Sequence, residues 1–178
     1  MAAPSAQLRE ALLKITEQFT GYSIGEQLIE VENLKRVQSH RIRAVSPVNL
    51  DDVRSWRFNC HAFTFGLWKQ ELFWQLQESH PQAWPDGNFV TQYLLPRMTA
   101  VVGRDWRKAA IVLYYEGDQL KHSGLRQGRL VQSKWGDCHI WEHGVLEVPL
   151  SYGQRVVYYR LPDAQLAMSA YEQFAAAA

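Results

Sequence analysis

The chain has few cysteines and no excess of either charge. Its 178 residues include only two cysteines, Cys60 and Cys138. A single disulfide is therefore the most that the chain can form, and nothing in the sequence demands it. Lysine and arginine together number 19, against 18 for aspartate and glutamate, so the sequence carries no electrostatic footprint for nucleic acid. We expect no nucleic-acid partner.

Long apolar runs are also lacking. No stretch approaches the roughly 18 consecutive apolar residues of a membrane-spanning helix. The first residues, Met-Ala-Ala-Pro-Ser-Ala-Gln, lack the charged and apolar regions of a Sec signal peptide. We therefore expect no membrane span and a protein that is either cytoplasmic or exported without a Sec signal. The sequence also has no glycine-rich phosphate loop and no Gly-x-Ser-x-Gly nucleophile elbow.

What the chain does have is a composition typical of one globular domain. Hydrophobic residues make up 47% and aromatic residues 12%, which suffices to bury a sizeable core without disulfides. Helical periodicity and strand-like apolar runs divide the chain into a helical first half and a strand-rich second half. The predicted helices cover 5–20, 24–37, 59–77 and 89–101, with Pro96 kinking or breaking the last, and the predicted strands cover 109–115, 120–125, 129–134, 140–143 and 155–160.

This order predicts an α+β fold with an antiparallel sheet of about five strands. We expect a single domain over 1–178. Within it, residues 1–50 would form a helical N-terminal extension, 51–161 the core, and 162–178 a C-terminal helix and tail.

Cys60 is the strongest candidate for chemistry. It follows the polar run Asp51-Asp52-Val53-Arg54-Ser55, and an aromatic-rich amphipathic pattern begins directly after it. This layout predicts a thiol in the first turn of a helix, where unpaired backbone N–H groups and the helix dipole favour a thiolate. A nucleophilic thiolate needs a base close by.

His122 is the candidate base among the six histidines. His40 and His80 lie in polar, loop-like contexts that indicate a surface position. His61 directly follows Cys60 on the predicted helix and points about 100° away from it. His122 begins a short strand after a buried one, and such a strand can present a side chain at the start of a helix packed on the sheet. A strand histidine alone is more often structural, so the surrounding pattern decides.

An ordered set of short motifs extends over residues 57–160. It runs Asn59-Cys60, Trp84-Pro85, Ile111-Val112-Leu113-Tyr114, His122-Ser123-Gly124, Ser133-Lys134-Trp135-Gly136, Ile140-Trp141-Glu142-His143 and Tyr152-Gly153. The set resembles the papain-like superfamily in its NlpC-type form. It is more closely similar to an uncharacterised group of small bacterial domains with an Asn-Cys / His / Ser-Lys-x-Gly / His / Tyr-Gly pattern. The chain departs from that pattern at Trp135, where an aliphatic residue is usual, and at Ser123-Gly124, where alanines are common.

The resemblance implies a papain-like core with a nucleophile helix packed on the sheet. It implies Cys60 as nucleophile, His122 as general base and Gln132 as the residue that orients the imidazole. His143 could replace Gln132 in that role, or it could hold the sheet together through a buried hydrogen bond.

Three further residues are candidates for substrate contacts. Asn59 could donate its amide to a developing oxyanion beside a backbone N–H, or it could cap the helix. Ser133 and Lys134 would lie near the substrate by the same resemblance. Lys134 could bind a substrate carboxylate or pair with Asp137 or Glu142.

The same region offers a rival metal site. Cys138, His139 and His143 form a Cys-His-x-x-x-His pattern that Cys60 and His61 could join. Only the His139 and His143 pair has the spacing of zinc ligands. We therefore expect no metal and no other cofactor.

The implied function is a cysteine-dependent hydrolase, an amidase or peptidase that works through an acyl-enzyme. Its substrate would be a peptide, peptidoglycan or a protein, and a toxin-like effector role would suit it. A cognate immunity or regulatory protein could bind this enzyme. One alternative is a catalytically inactive interaction or immunity-type domain on the same scaffold, in which Cys60 is buried and unreactive. Another is a thiol acyltransferase or deamidase.

Overall fold

The computed structural model describes residues 6–16, 23–46, 51–102, 109–136 and 139–178. Its α-helices are α1 (Ala6–Thr16), α2 (Ile24–Leu34), α3 (Cys60–Thr64), α4 (Glu71–Ser79) and α5 (Ala164–Ala177). Its strands are β1 (Arg43–Ser46), β2 (Ala100–Val101), β3 (Ile111–Glu116), β4 (Gln119–Gln127), β5 (Leu130–Lys134), β6 (Ile140–Gly144) and β7 (Arg155–Tyr159).

These strands form one antiparallel sheet in the order β1-β6-β5-β4-β3-β7-β2. The mixture of helices and antiparallel strands is confirmed, but the sheet has seven strands where about five are predicted. The added strands, β1 and β2, lie at its two edges. Because β1 pairs with β6, residues 1–50 contribute to the sheet and are not a purely helical extension.

Two of the predicted helices are interrupted. Gly66 adopts a left-handed φ of 71° that a helix cannot continue, so the predicted helix over 59–77 is divided into α3, a 3-10 turn (Leu67–Lys69) and α4. The predicted helix over 89–101 is a π-helical segment followed by a 3-10 turn that contains Pro96, and β2 follows it. The break at Pro96 is confirmed.

The sheet has a different helical cover on each face. We call the face covered by α3, α4 and α5 the α3 face, and the face covered by α1 and α2 the α1 face. Successive strand side chains alternate between them. In β3, Leu113 belongs to the buried cluster of the α3 face and Tyr114 to that of the α1 face.

No described helix is long and apolar enough to cross a membrane.

Candidate functional site

Cys60 begins α3, as predicted, and Asn59 caps the helix. The Asn59 Oδ1 accepts hydrogen bonds from the backbone N–H groups of His61 and Ala62, at 3.0 and 2.9 Å. Its Nδ2 donates to the carbonyl oxygen of Pro85 at 2.8 Å. Asn59 therefore fixes the start of α3 and ties the Trp84-Pro85 loop to it. Of the two roles considered for Asn59, the contacts therefore show the helix cap.

The Cys60 side chain is half-buried, and its surroundings disfavour the thiolate. Burial raises the pKa of Cys60 from 9.0 to about 11, and hydrogen-bonding groups of Ser123 and His61 offset this only in part. The helix contributes little because α3 has only five residues and Asn59 already takes two of its first-turn N–H groups. The thiol is protonated at neutral pH, contrary to the expected thiolate.

Ser123 is the strand residue that faces the start of α3. Its Oγ lies 3.2 Å from the carbonyl oxygen of Cys60, 3.0 Å from Thr64 Oγ1 and 2.8 Å from His61 Nδ1. The four residues form a polar cluster between α3 and β4. Burial lowers the pKa of His61 to about 4, so its imidazole is neutral at physiological pH and serves as a hydrogen-bond partner of Ser123.

His122 lies on the opposite face of the sheet. Ser123 pairs with Leu113, on the α3 face, whereas His122 pairs with Tyr114, on the α1 face. The imidazole of His122 stacks on Tyr152 with ring centroids 3.9 Å apart, and the surrounding core holds its pKa well below 6.5. The structure does not bring Cys60 and His122 together, because side-chain alternation along β4 directs them to different faces.

Gln132 is also not beside His122. It pairs with Leu125, which packs against the buried cluster of the α3 face, so its side chain lies on the face away from the imidazole. The Glu142 carboxylate, opposite Gln132 across β5 and β6, accepts a hydrogen bond from it. Gln132 cannot orient His122 from this position.

Ser133 and His143 belong to a hydrogen-bonded chain on the α1 face. Trp135 Nε1 donates to Ser133 Oγ at 2.9 Å, Ser133 Oγ lies 2.8 Å from His143 Nε2, and His143 Nδ1 lies 2.8 Å from the Gly144 carbonyl oxygen. Because a carbonyl only accepts, Nδ1 carries the proton and Nε2 accepts from Ser133. Burial lowers the pKa of His143 to about 4. Both ring nitrogens are engaged, so His143 has none left to orient His122.

Lys134 is fully buried on the α3 face. Its Nζ lies 5.0 Å from the centroid of the Phe58 ring, a cation–π distance. Of the two acids considered as its partner, Glu142 forms a salt bridge of 2.6 Å with Arg43, and Asp137 lies outside the described residues. A fully buried Lys134 has no exposed ammonium with which to bind a substrate.

The rival metal site is not formed by the described residues. No group of three or more histidine, cysteine, aspartate or glutamate side chains in the ranges above is arranged to hold a metal ion. Cys138 lies outside the described residues. His139 packs edge-on against Trp141, at 5.8 Å between ring centroids, while His143 is engaged with Ser133.

Three surface cavities lie near the described site, and none of the three is lined by Cys60 or His122. The largest of them, about 430 Å³, lies beside α4 and the loop before α3. Its lining residues are Val53, Arg54, Arg57, Trp74, Gln77, Glu78, Pro81 and Trp84.

The position of Ser123 against α3 was not predicted from the sequence, although one signal was present. Leu125 is apolar and two residues from Ser123, so strand alternation places both on one face. His122 is one residue away from Ser123 and therefore lies on the opposite face.

Comparisons of the chain with protein-family models, with curated proteins and with solved structures find no match.

Proposed function

We propose that this chain is a catalytically inactive interaction domain of the immunity type, built on an α+β scaffold. The observation that carries the proposal is that Ser123, and not His122, lies against Cys60. A thiol nucleophile needs a base within hydrogen-bond reach, and the strand position that could supply one holds a hydroxyl group instead.

The ionisation of the thiol supports the same proposal. With a pKa of about 11, roughly one Cys60 in ten thousand is a thiolate at pH 7. His61 is the nearest alternative base, but its Nδ1 is bound to Ser123. With a pKa of about 4, it is also too weak a base to take the thiol proton.

The other motif residues are accounted for by packing. His122 stacks in the core on Tyr152, and Ser133 and His143 bond to each other. Gly124 leaves no space for a side chain, because a β-carbon there would lie 2.5 Å from a valine methyl group. These roles preserve the scaffold without requiring catalysis.

The surface composition supports a protein partner. The largest cavity is bordered by two tryptophans and two arginines, residue types that dominate the energetics of protein interfaces. Val53, which also lines the cavity, is 48% exposed. Apolar side chains exposed beside arginine and tryptophan suit a protein surface better than a small polar ligand.

Iodoacetamide labelling between pH 6 and 11 tests the proposal. Peptide mass spectrometry separates the label on Cys60 from that on Cys138. We expect the labelling rate of Cys60 to rise with a midpoint above pH 10, and to keep this midpoint in His122→Gln. The same protein unfolded in urea is the matched control, with a midpoint near the free-thiol value of about 8.5.

A cysteine hydrolase is the second candidate, and one observation favours it: Cys60 begins a helix and is half-exposed. It predicts a labelling midpoint below about pH 8 that rises when His122 is replaced. That result would overturn the interaction-domain proposal. Complementation gives a second readout, because an interaction domain keeps its cellular effect in Cys60→Ala, whereas a hydrolase or transferase loses it.

A further inference from the structure

His122 is a buried imidazole with no hydrogen bond at one of its nitrogens. Its side chain is 1% exposed, and its Nε2 has no partner among the described residues. The hydroxyl of Tyr114, whose ring centroid lies 5.6 Å from that of His122, is likewise buried without a partner. Buried polar atoms without a hydrogen-bond partner lower the free energy of unfolding, so they weaken the packing of this part of the α1 face.

The cover over His122 is held by Arg9 of α1. Its Nε donates to the carbonyl oxygen of Val148 at 3.1 Å, and its Nη2 donates to those of Pro149 and Gly153, at 3.3 and 2.5 Å. The loop segment 148–153 carries Tyr152, which stacks on His122. Arg9 therefore joins α1 and this segment into one unit that lies over the imidazole.

The groups that face His122 do not accommodate a proton. Tyr114 of β3 and Tyr152 of the loop segment contact its ring, and His143 of β6 and His61 of α3 act on its charge, while Arg9 of α1 binds the segment that carries Tyr152. None is a carboxylate, and both histidines oppose protonation of His122. Three acids of the neighbouring strands and loop act elsewhere: Glu116 is exposed and acts on Arg9, Glu142 pairs with Arg43, and Glu147 accepts from the Gly144 N–H.

We propose that protonation of His122 releases α1 and segment 148–153 together from the sheet, so that mild acid uncovers the α1 face while the α3 face stays folded. A charged imidazole needs water or an acid, and only displacement of Tyr152 supplies the water. Since Arg9 links Tyr152's segment to α1, both move. Exposure of the α1 face, which contains Trp135 and Trp141, then depends on pH.

Hydrogen exchange of the full chain at pH 7.0 and 5.5, corrected for the intrinsic pH dependence of exchange, tests this proposal. We expect opening of α1 to increase about eightfold from pH 7.0 to 5.5, because an exposed histidine that titrates near 6.5 takes up a proton only in the open state. Peptides from α5, which packs on the α3 face, serve as the internal control: burial of neutral His61 makes global unfolding acid-sensitive as well, but α5 should stay more protected than α1 at both pH values. In His122→Gln, a neutral amide takes up no proton, and the acid-induced increase in α1 opening falls by about eightfold.

Three results would overturn the proposal. One is equal protection of α1 and α5 at pH 5.5, which means that α1 opens only by global unfolding. Another is an acid-induced increase in α1 opening that is unchanged in His122→Gln, or that is lost only in His143→Gln. If His122→Gln does not fold, NMR titration of the wild-type imidazoles decides: a His122 that titrates near pH 6.5 while α1 stays protected refutes the release.

Discussion

Replacing His61 by glutamine should make the protein less sensitive to acid. His61 is 3% exposed and bonds through Nδ1 to Ser123, and burial lowers its pKa to about 4. In the unfolded chain the same imidazole titrates near 6.5. The folded protein therefore binds fewer protons than the unfolded chain between these two values, and the stability that neutral His61 contributes above pH 6.5 is lost as the pH falls toward 4.

The size of the effect follows from those two pKa values. A fall from 6.5 to about 4 corresponds to about 3.4 kcal/mol at the acid limit. Of this, about 2 kcal/mol is lost between pH 7.0 and 5.0. Glutamine keeps a polar contact with Ser123 but cannot be protonated. It should cost about 1–2 kcal/mol at pH 7.0 and little or nothing at pH 5.0.

Urea unfolding followed by tryptophan fluorescence at the two pH values measures this change. The difference in unfolding free energy between wild type and His61→Gln should narrow by about 2 kcal/mol from pH 7.0 to 5.0. Thr64→Val is the matched control: it removes another hydroxyl contact of Ser123 with no titrating group, so its cost should be equal at both values. If the difference in unfolding free energy between wild type and His61→Gln is the same at both pH values, His61 is not buried in its neutral form.

Two further substitutions test the packing. Gly124→Ala should lower the free energy of unfolding in urea by about 1–3 kcal/mol, because its β-carbon would lie 2.5 Å from a valine methyl group. The control is Gly25→Ala, whose β-carbon would have nothing within 4 Å and which should be neutral or stabilising. Equal losses of stability in the two variants would contradict the close packing at Gly124. Asn59→Ala should cost about 1–2 kcal/mol and more than Asp163→Ala. Asn59 caps α3 and also bonds to Pro85, whereas Asp163 accepts one cap hydrogen bond. A smaller cost for Asn59→Ala would mean that the Pro85 link adds nothing.

The regular parts of the fold were predictable because their apolar pattern is strong. The strands from β3 to β7 were all expected, since long or alternating apolar runs signal burial against helices. The edge strands β1 and β2 were not expected, because four and two residues are too few to show a period. The division between α3 and α4 depends on the φ of Gly66, which the apolar pattern does not report.

The candidate site was predictable only at Cys60. Its position at the start of α3 and the cap at Asn59 follow from local sequence. The partner of the thiol depends instead on how β4 is registered against β3, a tertiary property. His122 and Ser123 are adjacent polar residues, and the two leucines of β4 give opposite answers, because strict alternation would place His122 with Leu120 and Ser123 with Leu125.

The register of β4 is fixed by its leucines and by a bulge. Leu120 and Leu125 both pack in the buried cluster of the α3 face, yet they are five residues apart, an odd spacing that strict alternation would send to opposite faces. The pairing shifts between Tyr114 and Tyr115 of β3, which inserts Lys121 as an extra residue and returns Leu120 to the α3 face. Ser123 shares the parity of Leu125, so His122 is directed to the α1 face. A slip of one residue would exchange His122 and Ser123, but it would also remove Leu125 from the core. The register of β4 therefore decides whether His122 or Ser123 faces Cys60. The burial of Leu120 and Leu125 favours the register in which Ser123 does.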